Sequence, residues 1–226
     1  MKTLTSHINE ALKIGKNLSN FSTHSCQPKT KEELEDIIEE RISEYGADCN
    51  LNDIDVSQID DMSWLFYESE FDGDISRWNT SNVTNMACMF ADSEFTGDIS
   101  KWDTSNVKSM ESMFSRSQFN GDISDWNVSK VEDMSNVFFD SVFDGDISRW
   151  NVSKVQDMSW MFENSIFNSD ISEWDVSSVI NTCGMFNRSN FNQDISKWKI
   201  REDCRTVNMF AGCPIKEEYK PKALQE

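Results

Sequence analysis

Prolines number only three and glycines eight in this chain of 226 residues, too few for a collagen-like or low-complexity linker protein. Histidine is scarcer still, with only His7 and His24. The six cysteines, Cys26, Cys49, Cys88, Cys183, Cys204 and Cys213, contain no CxxC pair, so a zinc site has little support. Basic residues are outnumbered by acidic ones, 21 to 40, for a net charge of −19. Binding a nucleic-acid backbone requires the opposite balance, and so does docking on an anionic membrane surface. No run approaches the ~18 apolar residues needed to span a bilayer. The opening MKTLTSHINEALKIGKNLSNF lacks the continuous apolar core of a secretory signal. A cytoplasmic location with reduced thiols is therefore expected. No G-x-S-x-G, Gly-rich phosphate loop or HExxH is present, which leaves no recognisable catalytic machinery. What the chain does have is 15 Phe, 8 Trp and 11 Met, ample core material for a protein this acidic.

Those residues recur with a fixed period. Blocks beginning at Phe71, Phe95, Phe119, Phe143, Phe167 and Phe191 align without insertion, the first reading FDGDISRWNTSNVTNMACMFADSE. Trp falls at 78, 102, 126, 150, 174 and 198, Ile at 75, 99, 123, 147, 171 and 195, and a second Phe at 66, 90, 114, 138, 162, 186 and 210. A degenerate copy, with Leu51 in the Ile place and Met62 in the Met place, precedes them. The last copy decays at Asp203 and Thr206. Weak outer copies are typical of repeats that cap an array. Seven coils of 24 residues thus span about 47–214.

The period changes inside each copy. Trp78 and Thr80 alternate as on one side of a strand, whereas Val83, Met86, Met89 and Phe90 form one stripe of a short helix. Ser81 and its equivalents are placed as helix N-caps, and Ser129–Glu132 has capping-box spacing. Gly73-Asp74 and its equivalents read as the turn that returns the chain. The expected fold is an α/β solenoid of seven coils, with a short parallel β-sheet on one side, short helices on the other and a capping helix at the N-terminal end. The cap is 30–46, with Thr30 as N-cap, Glu33 completing a capping box and Gly46 as stop. Residues 1–29 read as an extension, either a short amphipathic helix or a removable leader, and 215–226 as a C-terminal tail. The cap and the degenerate last coil argue against end-to-end pairing, so a monomer is expected.

The pattern F-x-G-D-I-S-x-W-[DN]-[VT]-S-x-V-x-x-M-x-x-M-F resembles the repeat of the BspA-like leucine-rich-repeat surface proteins. That resemblance implies a leucine-rich-repeat-like solenoid, adhesion or protein binding, and frequent surface location. It supplies no catalytic residues, cofactor or metal site.

The remaining constellations divide into framework and candidate surface. Asp74 and its equivalents recur in coil after coil, whereas a paired-carboxylate active site should break the repeat. One carboxylate per coil also falls short of a calcium loop. The Trp ladder is core. The places flanking Trp should point outward: Arg77, Lys101, Asp125, Arg149 and Glu173 before it, and Asn79, Asp103, Asn127, Asn151 and Asp175 after it. Trp64 and Trp160 occupy a variable place between the two Met positions and are candidate anchors. Together these predict a non-catalytic, adhesin-like scaffold for another protein or peptide. The alternative is a structural or passenger protein, phage-associated, with a removable N-terminal leader.

Overall fold

The computed structural model describes residues 26–225. The amphipathic segment or leader expected at the start of the chain falls mainly outside the described residues.

Consecutive 24-residue copies lie on one another in register. Asp61 bridges Asn85 in parallel, Asn85 bridges Ser109, and the series continues through Asp133, Asp157 and Asn181 to Arg205. Backbone hydrogen bonds make each joint. In the first coil the N–H groups of Met62, Trp64, Phe66 and Glu68 donate to the carbonyls of Asn85, Ala87, Met89 and Ala91 at 2.9–3.0 Å. The same four places repeat at every joint, ending with Thr182, Gly184, Phe186 and Arg188 donating to Arg205, Val207, Met209 and Ala211. All of these N–H groups point toward the C-terminal coil. Fewer columns run the other way, chiefly Thr84 N–H to the Asp60 carbonyl and its equivalents.

Inside a coil the structure differs from the strand-and-helix expectation. Ile75–Trp78 is a turn, with Trp78 N–H donating to the Ile75 carbonyl at 3.2 Å. The Trp78 and Thr80 alternation is present as burial, both being buried around an exposed Asn79, but no ladder of strand bonds accompanies it. Asp74 and Asn79 cause this, because their side-chain oxygens accept from the backbone N–H of Ser76 and Ser81. Such local bonds compete with strand pairing.

The Val83–Phe90 stripe is a chain of overlapping turns, Met89 N–H donating to the Met86 carbonyl and Ala91 N–H to the Cys88 carbonyl. Cys88 and Asp92 have φ of 56° and 54°, and a left-handed residue every fourth position breaks an α-helix. The N–H groups a helix would use internally go to the next coil instead, which satisfies them equally well. Ser81 therefore caps no helix. The hydroxyls of Ser129 and Ser153 donate to Asn127 and Asn151 Oδ1.

The joints stack like on like in the core. Phe66, Phe90, Phe114, Phe138, Phe162, Phe186 and Phe210 form one column, with ring centroids 5.5–5.8 Å apart and planes within 11°. A second Phe column from Phe71 to Phe191 has spacings of 6.1–6.5 Å. Each aromatic pair adds about 0.5–1.5 kcal/mol beyond its buried area. Trp78, Trp102, Trp126, Trp150, Trp174 and Trp198 are buried, and each indole N–H donates at 3.0–3.1 Å to the Leu51 or Ile carbonyl of the coil before it. Gly73 is needed for space: a Cβ there would lie 2.0 Å from the Cys49 carbonyl oxygen and 2.6 Å from the Phe71 ring.

Among the described residues one α-helix, α1 (Lys31–Tyr45), lies at the first coil. Thr30 Oγ1 accepts from Glu33 N–H, Glu33 accepts from Lys29 N–H, and Gly46 at φ 94° donates back to the Ile42 carbonyl. Leu34 and Ile38 bury its inner face in the core. At the opposite end two 3-10 turns, Glu217–Tyr219 and Lys222–Leu224, fold back so that Ile195 N–H reaches the Tyr219 carbonyl at 2.9 Å. They leave the N–H groups of Thr206, Asn208, Phe210 and Gly212 without acceptors among the described residues.

Candidate interaction surface

The two rows beside the Trp ladder are exposed and run along the stack. In the row before Trp, Arg149 pairs with Asp125 at 2.8 Å and Lys197 with Glu173 at 3.1 Å, each across one coil joint. Arg77 and Lys101 make no ion pair among the described residues. Exposed pairs of this kind contribute little to stability, so the charges of this row are available to a partner. The row after Trp is different. Asn79, Asp103, Asn127, Asn151 and Asp175 each accept from the backbone N–H two residues on, at 2.9–3.2 Å. These five residues close a corner of the coil as well as facing solvent. A shallow depression of about 490 Å³ opens between Glu173, Asp175, Lys197 and Lys199.

Corner closing explains much of the acidity. Asp74, Asp98, Asp122, Asp146, Asp170 and Asp194 accept from the N–H of the serine two residues on at 2.8–3.0 Å. The same bond pattern recurs at Asp61, Asp133 and Asp157. At Asp74, Asp98, Asp122, Asp146 and Asp194 these bonds favour the ionised form. Backbone N–H first and hydroxyl second hold Asp98, Asp122 and Asp194 below the usual carboxylate range. At Asp103, Asp146 and Asp175 the serine hydroxyl contributes first and the N–H second. Carboxylates held this way suit neither a proton donor nor a nucleophile. Among the described residues no group of three or more His, Cys, Asp or Glu could hold a metal ion. The Cys88, Cys204 and Cys213 thiols are pushed up by burial, away from the thiolate a reactive cysteine needs.

Trp64 and Trp160 stand apart from the two rows. Their place in the coil is one of two that turn left-handed, with φ of 65° and 55°. Asn136, Gly184 and Asn208 hold the same place in other coils, and Asn and Gly adopt it most readily. A bulky side chain there costs about 1–2 kcal/mol. Both indoles remain 52% and 43% exposed, so burial does not offset that cost. Trp160 is seated on the next coil: a Cβ on Gly184 would lie 2.5 Å from its Cδ1. Trp64 meets Tyr67 edge-on, with centroids 4.9 Å apart and planes at 73°.

Tyr67 has no counterpart in the sequence argument. It lies in a place held elsewhere by Ala91, Ser115, Phe139, Glu163 and Asn187, and an aromatic at so variable a place was the signal available. The exposed Val142, Ile166, Ile180 and Val207 were missed for the same reason.

No curated protein and no solved structure matches the chain. A family match does exist, over residues 36–142 and again over 115–220. Together the two matches take in α1 from its second turn onward and every coil of the stack. The chain belongs to the repeat family described as "Mycoplasma protein of unknown function, DUF285".

Proposed function

We propose that this protein is a non-catalytic scaffold that binds another protein or peptide along its exposed columns, in the manner of an adhesin. Its architecture is a leucine-rich-repeat-like solenoid related to the BspA-like surface proteins, with short turn segments where those repeats were expected to carry helices. The observation that carries the reading is the division of labour within each coil. Places that keep their residue are buried or closed into turns, as with Ile75, Trp78, Val83, Phe90 and Asp74 and their equivalents. The place before Trp changes from coil to coil and is exposed throughout, as with the series Arg77, Lys101, Asp125, Arg149 and Glu173. A uniform framework under a varied surface is how repeat scaffolds acquire a specific partner. The net charge of −19 favours a partner with a basic surface and disfavours nucleic acid. No helix among the described residues is long and apolar enough to cross a membrane.

The test is capture from the native source with the full chain, repeated with Asp125→Lys, Glu173→Lys and Asp175→Asn combined. The expected result is one specific protein, retained at least tenfold less by the triple variant. Failure to retain any specific protein sinks the binding reading and leaves a structural role.

A further inference from the structure

Among the described residues, half of the aromatic rings outside the stacked columns are covered by a cation. Arg41 lies over Tyr45, Arg116 over Phe139 at 5.3 Å and Lys216 over Tyr219 at 4.5 Å, and Lys220 lies over Phe210, the end ring of its column. Among the described residues the half-exposed or exposed rings with no cation are Trp64, Tyr67 and Trp160. Two of these three are side by side. The Trp64–Tyr67 pair presents two ring faces at 73° to one another, and an aromatic corner of this kind attracts a cation through the ring quadrupoles.

The third coil joint shows what fits. Phe139 occupies the same place in its coil as Tyr67, 72 residues earlier in sequence, and its ring is covered by the Arg116 guanidinium. Arg116 in turn reaches Asp92 at 3.5 Å. In that arrangement an arginine from the coil before is held between a ring and a carboxylate. Tyr67 is in the first coil, where the preceding element is α1 and supplies no arginine to its ring. A carboxylate is nevertheless beside the ring. A hydrogen bond to Glu68, burial and the Glu68 and Asp92 charges push the Tyr67 phenol up, while Arg116, which already pairs with Asp92, acts the other way. The rings and an acid are present, and no cation lies over either ring.

We infer that the Trp64–Tyr67 corner, flanked by Glu68, is a docking point for an arginine side chain on a basic segment of a partner protein. The inference rests on the protein-binding reading and names the chemistry of the partner. It also gives a reason for a tryptophan in a left-handed place that Asn or Gly would fill with less strain. Guanidinium is preferred to ammonium because its plane can lie on the indole while its N–H groups reach a carboxylate.

The experiment uses the full chain, labelled with nitrogen-15, titrated with a nonapeptide carrying three arginines spaced by Gly-Ser. A second peptide has citrulline, the neutral isostere, at each arginine. Trp64→Asn and Tyr67→Leu are the variants, the first suited to the left-handed backbone and therefore expected to fold. The arginine peptide should shift the indole N–H resonance that Trp64→Asn removes, and either variant should weaken binding about tenfold. The citrulline peptide should shift nothing. Equal affinity for wild type and Trp64→Asn would mean the peptide is held by net charge alone and would overturn the site, while leaving the scaffold reading standing. No binding of the arginine peptide overturns it too. If capture from the native source fails as well, the broader reading falls with it.

Discussion

The same amino acid does opposite work in two columns of this protein. Trp78, Trp102, Trp126, Trp150, Trp174 and Trp198 are sealed in the core with their indole N–H groups bonded to a carbonyl one coil away. Trp64 and Trp160 are about half exposed, and no protein acceptor among the described residues takes their N–H groups. The first column sits in relaxed backbone and repeats in every full copy. The second sits in left-handed backbone and appears twice in seven copies. A residue that recurs because packing demands it says nothing about a partner. One that appears against the preference of its own backbone does.

Substitutions can break that contrast. Trp126→Ala opens a cavity beside the Phe114 column and leaves the Ile99 carbonyl without its donor, so a loss of about 3–5 kcal/mol is expected in urea unfolding. A loss below about 1 kcal/mol would show that the ladder is not the main support. Gly184→Ala puts a Cβ into the Trp160 ring at φ 63°. About 1–2 kcal/mol should be lost, with a change in the fluorescence of the displaced indole. Asp98→Ala removes one corner bond and should cost roughly 0.5–1 kcal/mol, as loss of a capping side chain does. Trp64→Asn has the smallest effect and the opposite sign, a gain of up to about 1 kcal/mol. Destabilisation by that change would mean that Trp64 is structural after all.

Acid tests the framework as a whole. Folding holds Asp98, Asp103, Asp122 and Asp146 below their ordinary value of 3.8. Their contribution is therefore complete above that value and is lost as pH falls through the lower folded one. The melting temperature should hold steady from pH 7 to about 5 and drop below about 4. A melting temperature flat to pH 2 would show that the corner bonds carry no net stability.

The repeat and its buried columns were open to view in the sequence because burial imposes one residue type at one place, copy after copy. Thr30, Glu33 and Gly46 mark the end helix for a similar reason, since capping acts within four residues. The path inside the coil was hidden. Alternating burial at Trp78 and Thr80 fits a strand or a turn, and spacings of three at Val83, Met86 and Met89 fit a helix or overlapping turns. Bonds to residues 23 places away, as from Cys88 to Glu111, decide between them, and no local window contains both partners. The surface was half legible. Exposure of Arg77 to Glu173 followed from the place of Trp, but the meeting of Trp64 with Tyr67 depended on a backbone turn the spacing did not reveal.

The fixed pattern of N–H direction, four columns one way and fewer the other at each joint, limits how such a chain can change. Since each joint offers the same donors to the same acceptors, coils are interchangeable parts. A block of 24 residues could be deleted, duplicated or moved, and the new joints would close as the old ones did. A coil turned end for end could not be accommodated, because it would set donor against donor on one side and acceptor against acceptor on the other. Length and the order of surface residues are thus free to vary in this architecture, and orientation is not.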